Sequence, residues 1–86
     1  MEEAWIDELA TAVGQPPLAS DEAAALLRAS REVAHRVERK MTPLAAFLLG
    51  LDVAGRIAEG HTRAAALAEA IADLDRLLPE AGPDSG

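Results

Sequence analysis

The chain has 86 residues, no cysteine and a formal net charge of −7 at pH 7. A chain of that size is one domain with a thin core, since it buries only about 60–65% of its unfolded surface. The charge disfavours nucleic acid and anionic membranes as partners, and the lack of cysteine excludes disulfides, thiolate metal sites and a cysteine nucleophile.

Half the residues are apolar, yet there is one Trp, one Phe and no Tyr. Many of the apolar residues are alanine, which favours helix and adds little burial. The start, MEEAWIDELA, is acidic and so unlike a signal or transit peptide. The longest uncharged, mostly apolar run is Met41 to Leu51. It falls short of the ~20 residues that span a bilayer, so the expectation is a cytoplasmic protein with no membrane partner.

The first predicted helix covers about residues 2–13. Trp5, Ile6, Leu9, Ala12 and Val13 share one face at helical spacing. Glu2 and Glu3 suit the positive end of the helix dipole. Gly14, then Pro16 and Pro17, stop it.

A second helix is expected over about 21–40. Ser20 is its N-cap, and Asp21 and Glu22 lie in its first turn. Its apolar stripe is Leu26, Leu27, Val33, Ala34, Val37 and Met41, interrupted by Ser30. Thr42 and Pro43 read as a cap followed by proline at the first position of a third helix, about 43–59. The link is therefore very short.

Helix three is apolar nearly all round. Asp52, Arg56 and Glu59 form its polar strip, with Asp52 and Arg56 in the favourable i,i+4 order. Ala46, Gly50, Ala54 and Ala58 recur every four residues, a ridge that lets another helix come close. Such a helix is central or sits at an interface. Gly60 ends it, and Thr62 caps a fourth helix, about 62–78, with Ala64, Leu67, Ala68, Ile71, Leu74 and Leu78 facing inward. Pro79 starts a tail, residues 79–86, expected to be disordered. The predicted fold is all-α: a compact, mainly antiparallel four-helix bundle over residues 1–78.

Residues 28 to 40 carry five of the eight Lys and Arg residues against two acids, a local charge of +3. At 100° per residue, Arg28, Arg31, His35 and Arg39 form one stripe. Such a stripe suits a phosphate or carboxylate, because guanidinium donors match both. The simpler reading is a solvated face tied down by Arg28–Glu32 and Glu32–Arg36 pairs, or attraction to acidic helices. Arg31 and Arg39 flank His35 and favour its neutral form, while Glu32 and Glu38 oppose that. No nucleophile has an evident place beside it, so an exposed or hydrogen-bonded histidine is the simpler reading. His61 reads as a loop residue.

No HxxxH spacing, P-loop or dinucleotide glycine pattern is present. Glu69 and Asp73 lie at i,i+4 but read as solvated, and Gly50 and Gly55 read as close-packing positions. No metal, cofactor or catalytic residue is expected. Size, acidity and helix number also resemble acyl carrier proteins. Those need serine in an Asp-Ser-Leu-like motif, whereas Ser20 follows Ala19 and the only Asp-Ser pair is Asp84-Ser85.

Trp5, the run LLRASREVAH with Arg31, Val33, Ala34 and His35, and PLAAFLLG with Pro43, Phe47, Leu48 and Gly50 carry a further likeness. Over nearly the whole chain it resembles a family of uncharacterised small helical domains. That family occurs alone or fused to the C-terminus of molybdenum-cofactor guanylyltransferases. The resemblance implies an accessory role near synthesis of molybdopterin-guanine dinucleotide. It does not imply guanylyl transfer, which needs a nucleotide-binding α/β domain that this chain lacks.

Three functions follow as expectations. One is a non-enzymatic module that binds a protein, such as that guanylyltransferase, or a second copy of itself. It would use Leu49, Val53 and Ile57 on the flank of helix three, together with the basic stripe. The second is a site for an anionic small molecule, a pterin phosphate or nucleotide, at Arg28, Arg31, His35 and Arg39. The third is an acyl-carrier-like role.

Overall fold

A computed structural model describes residues 2–80. The expected tail falls largely on residues 81–86, outside the described residues. The chain forms α1 (Glu2–Ala12), α2 (Ser20–Arg36), a 3-10 turn (Arg39–Met41), α3 (Thr42–Ala58) and α4 (Arg63–Leu77). The fold is all-α, with four helices as expected and no strand among the described residues.

Local chemistry sets most of the ends. At α1, Gly14 takes φ of 77°, and Gln15 N–H closes onto the Ala10 carbonyl at 2.8 Å. At α3, Gly60 takes φ of 108°, and His61 N–H reaches the Arg56 carbonyl at 3.1 Å. Both are left-handed helix stops that glycine adopts without a Cβ clash. Thr62 caps α4 by accepting the Ala65 N–H at 3.1 Å.

Two expected caps are placed differently. Ala19 is the N-cap of α2, and Ser20 is its first helical residue. The carboxylate of Glu22 accepts the Ala19 N–H at 2.8 Å, which supplies half of a capping box. Met41, not Thr42, precedes α3, and the Thr42 hydroxyl is buried without a hydrogen-bond partner.

The second helix also ends early, at Arg36 rather than near Lys40. The chain must reverse before Pro43, and the reversal occupies Val37 to Met41. Glu38 is extended there, with φ of −169°. The last turn of the expected helix becomes the 3-10 turn.

The core lies between α2, α3 and α4. Ala29 packs with Leu67 and Ile71, and Leu26, Leu49, Val53 and Leu74 close around them. Val33, Ala66 and Ala70 are also buried. These three helices run up, down and up. Glu22 meets Arg63 and Arg28 meets Asp75, so α2 and α4 point the same way. Leu49 lines a hollow with Leu74 and Ile57 lines one with Ala64, which sets α3 antiparallel to α4.

The first helix stands apart. It makes no more than a marginal contact with the other helices. Trp5, Leu9 and Val13, the face expected to be buried, are exposed; Trp5 is 63% accessible.

Candidate functional site

The phase of α3 decides which surface the domain offers. Leu49 and Val53 were expected on an exposed flank. Both instead pack against the core cluster, because α2 and α4 cover that side. Ile57 is 40% exposed and lines the hollow beside Arg63. Half a helical turn away from the core lie Leu44, Phe47, Leu48 and Leu51. Their exposures are 57%, 68%, 64% and 56%. Ala54, Gly55 and Ala58 continue this exposed face towards the C-terminal end of α3. Sequence reading missed this face because every side of the helix is similarly apolar.

The glycines of α3 were expected to serve close packing. A methyl added at Gly50 or Gly55 would meet no atom within 4 Å. Neither glycine is needed for packing within this fold.

The polar strip of α3 is occupied. Arg56 donates to Asp52 at 3.1 Å, Glu69 at 2.7 Å and Asp73 at 2.5 Å. Its guanidinium is held above its usual pKa, first by the bond it donates to Asp52 and then by that to Glu69, against some desolvation. Arg76 shares Asp73. Glu69 and Asp73, expected to be solvated, thus serve as a clamp between α3 and α4. The 3-10 segment joins α3 into a run, Arg39–Ala58, of 20 residues, within which an 18-residue window has mean hydropathy 1.4. By length and composition alone, that run could cross a membrane.

The basic stripe is dispersed. Arg28 reaches across to Asp75 at 3.2 Å rather than to Glu32, while Glu32 pairs with Arg36 at 2.8 Å as expected. Arg31 and His35 are exposed on α2. Arg39 lies beyond the helix end, in the 3-10 turn, so it leaves the 100° register that aligned it with them. His61 donates through Nδ1 to the Arg56 carbonyl at 2.9 Å, a loop residue closing its own turn.

One polar cluster had no sequence signal. Arg63, at the start of α4, donates to both oxygens of Glu22, at 2.7 and 3.0 Å, and to the carbonyls of Pro16 and Pro17 at 2.9 and 2.8 Å. Glu22 is 7% exposed. Its carboxyl is held below its ordinary pKa, chiefly by the bond from Arg63 and then by that from Ala19 N–H. The Arg63 guanidinium is raised, chiefly by Glu22. An open hollow of about 570 Å³ lies here, lined by Gln15, Asp21, Ile57 and Ala64 among others. Glu22 and Arg63 already bind each other and the linker backbone, and Asp21 accepts the Glu22 N–H at 2.9 Å. Among the described residues, no three His, Cys, Asp or Glu side chains group as a metal site.

Residues 2–85 match a family described as a domain of unknown function, DUF6457. The chain belongs to this family. No curated protein and no solved structure matches it. The family is defined over α1 to α4, so the exposed faces of α1 and α3 lie within the family domain.

Proposed function

We propose that this DUF6457 domain is a non-enzymatic helical module that docks a protein. The observation that carries this reading is the uncovered apolar face of α3 at Leu44, Phe47, Leu48 and Leu51. A patch of that kind on a small acidic domain is costly to leave in water, and such patches mark interaction surfaces. The exposed Trp5, Leu9 and Val13 of α1 offer a second apolar contact. The cations give no comparable focus for catalysis or for a small anion, because Arg28 is paired with Asp75 and Arg39 lies in the 3-10 turn, off the α2 register of Arg31 and His35.

The finer reading is a partner from molybdenum-cofactor maturation, such as the guanylyltransferase. It is supported by the sequence likeness in LLRASREVAH and PLAAFLLG, which includes Phe47 and Leu48 of the uncovered face. An amide chemical-shift titration of the labelled domain with that enzyme tests it. Shifts on α1 or on the Leu44–Leu51 face, lost in Leu48→Glu, are expected. No shift at saturating enzyme would remove that partner.

A further inference from the structure

We propose that the uncovered face of α3 pairs with α3 of a second copy, antiparallel, about a two-fold axis at Leu51. This rests on the docking reading above and names the occupant of its α3 surface. The Trp5 side of α1 is then left for a different protein.

Three observations point to a second copy. The first is shape. Leu44, Leu48, Leu51, Gly55 and Ala58 recur at spacings of four and three, a seam that another helix can follow. The seam is bulky in its first half and small in its second. Antiparallel pairing about Leu51 sets Leu44, Phe47 and Leu48 of each copy against Ala58, Ala54 and Gly55 of the other. Large then meets small on either side of the axis, where Leu51 meets its own copy, as interdigitated helix packing requires. Nothing within the domain fills the space over Gly55.

The second observation is charge. The face itself carries no ionisable group between Leu44 and Leu51. Arg39 and Lys40 lie at its N-terminal end with Glu38, which is 3.8 Å from Lys40, leaving one net positive charge there, and Glu59 lies just past its C-terminal end, all exposed. Antiparallel pairing brings the basic end of each copy to the acidic end of the other, and it opposes the helix dipoles. Parallel pairing would set like charges together.

The third is area. The exposed parts of the four large side chains offer roughly 500 Å² per copy, so the pair buries about 1,000 Å², near the lower bound for a specific interface. A two-fold pair uses this patch twice, which a self-complementary surface permits.

The test uses the whole chain. Because it holds no cysteine, single-cysteine variants report contacts cleanly. Leu51→Cys is expected to oxidise to a disulfide dimer. A mixture of Leu44→Cys and Ala58→Cys should give the crossed dimer in preference to either self-pair. Sedimentation of the unmodified chain should show a dimer at concentrations on the order of 100 µM. Gly55→Leu should weaken it about tenfold or more while helicity holds or rises, since leucine is the better helix former and meets nothing in the monomer.

A chain that stays monomeric at millimolar concentration overturns the pairing. So does Leu44→Cys pairing with itself, or a Gly55→Leu dimer of unchanged affinity. Monomeric chain that sediments with lipid vesicles through Phe47 and Leu48 would also overturn it, in favour of a membrane surface. Guanylyltransferase shifts on the Leu44–Leu51 face of a monomeric chain would also overturn the pairing while upholding the docking reading; shifts confined to α1 are compatible with both.

Discussion

Arg63 Nη2 lies 2.7 Å from Glu22 Oε1, which joins the first turn of α4 to the first turn of α2. The same guanidinium donates two further N–H groups to the Pro16 and Pro17 carbonyls. One side chain therefore ties the start of α4 to the α1–α2 linker and the first turn of α2, 41 to 47 residues away. Removing it would leave Glu22 charged, nearly covered and without its main partner.

Arg63→Met should destabilise the domain by about 2 kcal/mol, the cost of leaving a covered polar group unsatisfied and less than for a fully buried ion pair, because this pair sits at the edge of a thin domain. Arg28→Met should cost less than about 1 kcal/mol, since the Arg28–Asp75 pair is exposed and screened. Urea unfolding followed by circular dichroism compares the two.

The same pair gives the domain an acid-sensitive term. Glu22 titrates below its ordinary value of 4.5 when folded. Between that lowered value and 4.5, the unfolded chain binds a proton that the folded chain refuses. The stabilisation is therefore present above pH 4.5 and is lost as pH falls through the folded value. Unfolding free energies measured between pH 3 and 6, at constant ionic strength, should show a shallower acid decline in Glu22→Gln than in the unmodified chain.

Leu48 and Leu49 are adjacent in sequence and should respond oppositely to the same change. Leu49→Glu places a carboxylate against Ala29, Leu67 and Ile71, and the domain should lose cooperative folding. Leu48→Glu faces outward and, at concentrations that keep both chains monomeric, should keep full helicity and a melting temperature within a few degrees of the unmodified chain. Thermal melts of both variants check the phase of α3 directly.

Because α1 makes at most marginal contact with the rest, removal of residues 1–14 should leave the α2–α4 unit folded. Pro16 and Pro17 must stay, since Arg63 binds their carbonyls. The shortened chain should unfold cooperatively at nearly the same urea midpoint. A large fall in the midpoint would show that α1 packs on the domain in solution.

The parts of this protein legible in its sequence are those settled within about one helical turn. Gly14 and Gly60 end their helices through their own backbone freedom. Thr62 caps α4 through a residue three positions on. Asp52 and Arg56 meet because helical geometry brings i and i+4 together. The four helices, and the absence of thiol chemistry, follow from such local or compositional facts.

What only the tertiary structure decided depends on distant neighbours. The apolar pattern of α3 has almost no phase, so periodicity could not say whether Leu48 or Leu49 faces inward; the helices packed beside it choose. The partners of Arg63 lie 41 to 47 residues away, and no spacing rule connects them. The basic stripe was drawn on a helix that continued to Lys40, but reversing the chain before Pro43 ends that helix at Arg36 and moves Arg39 out of line. Local hydrogen bonds can be read along the chain because both partners are near in sequence. The choice among similar faces is made by burial, which exists only once the helices have packed.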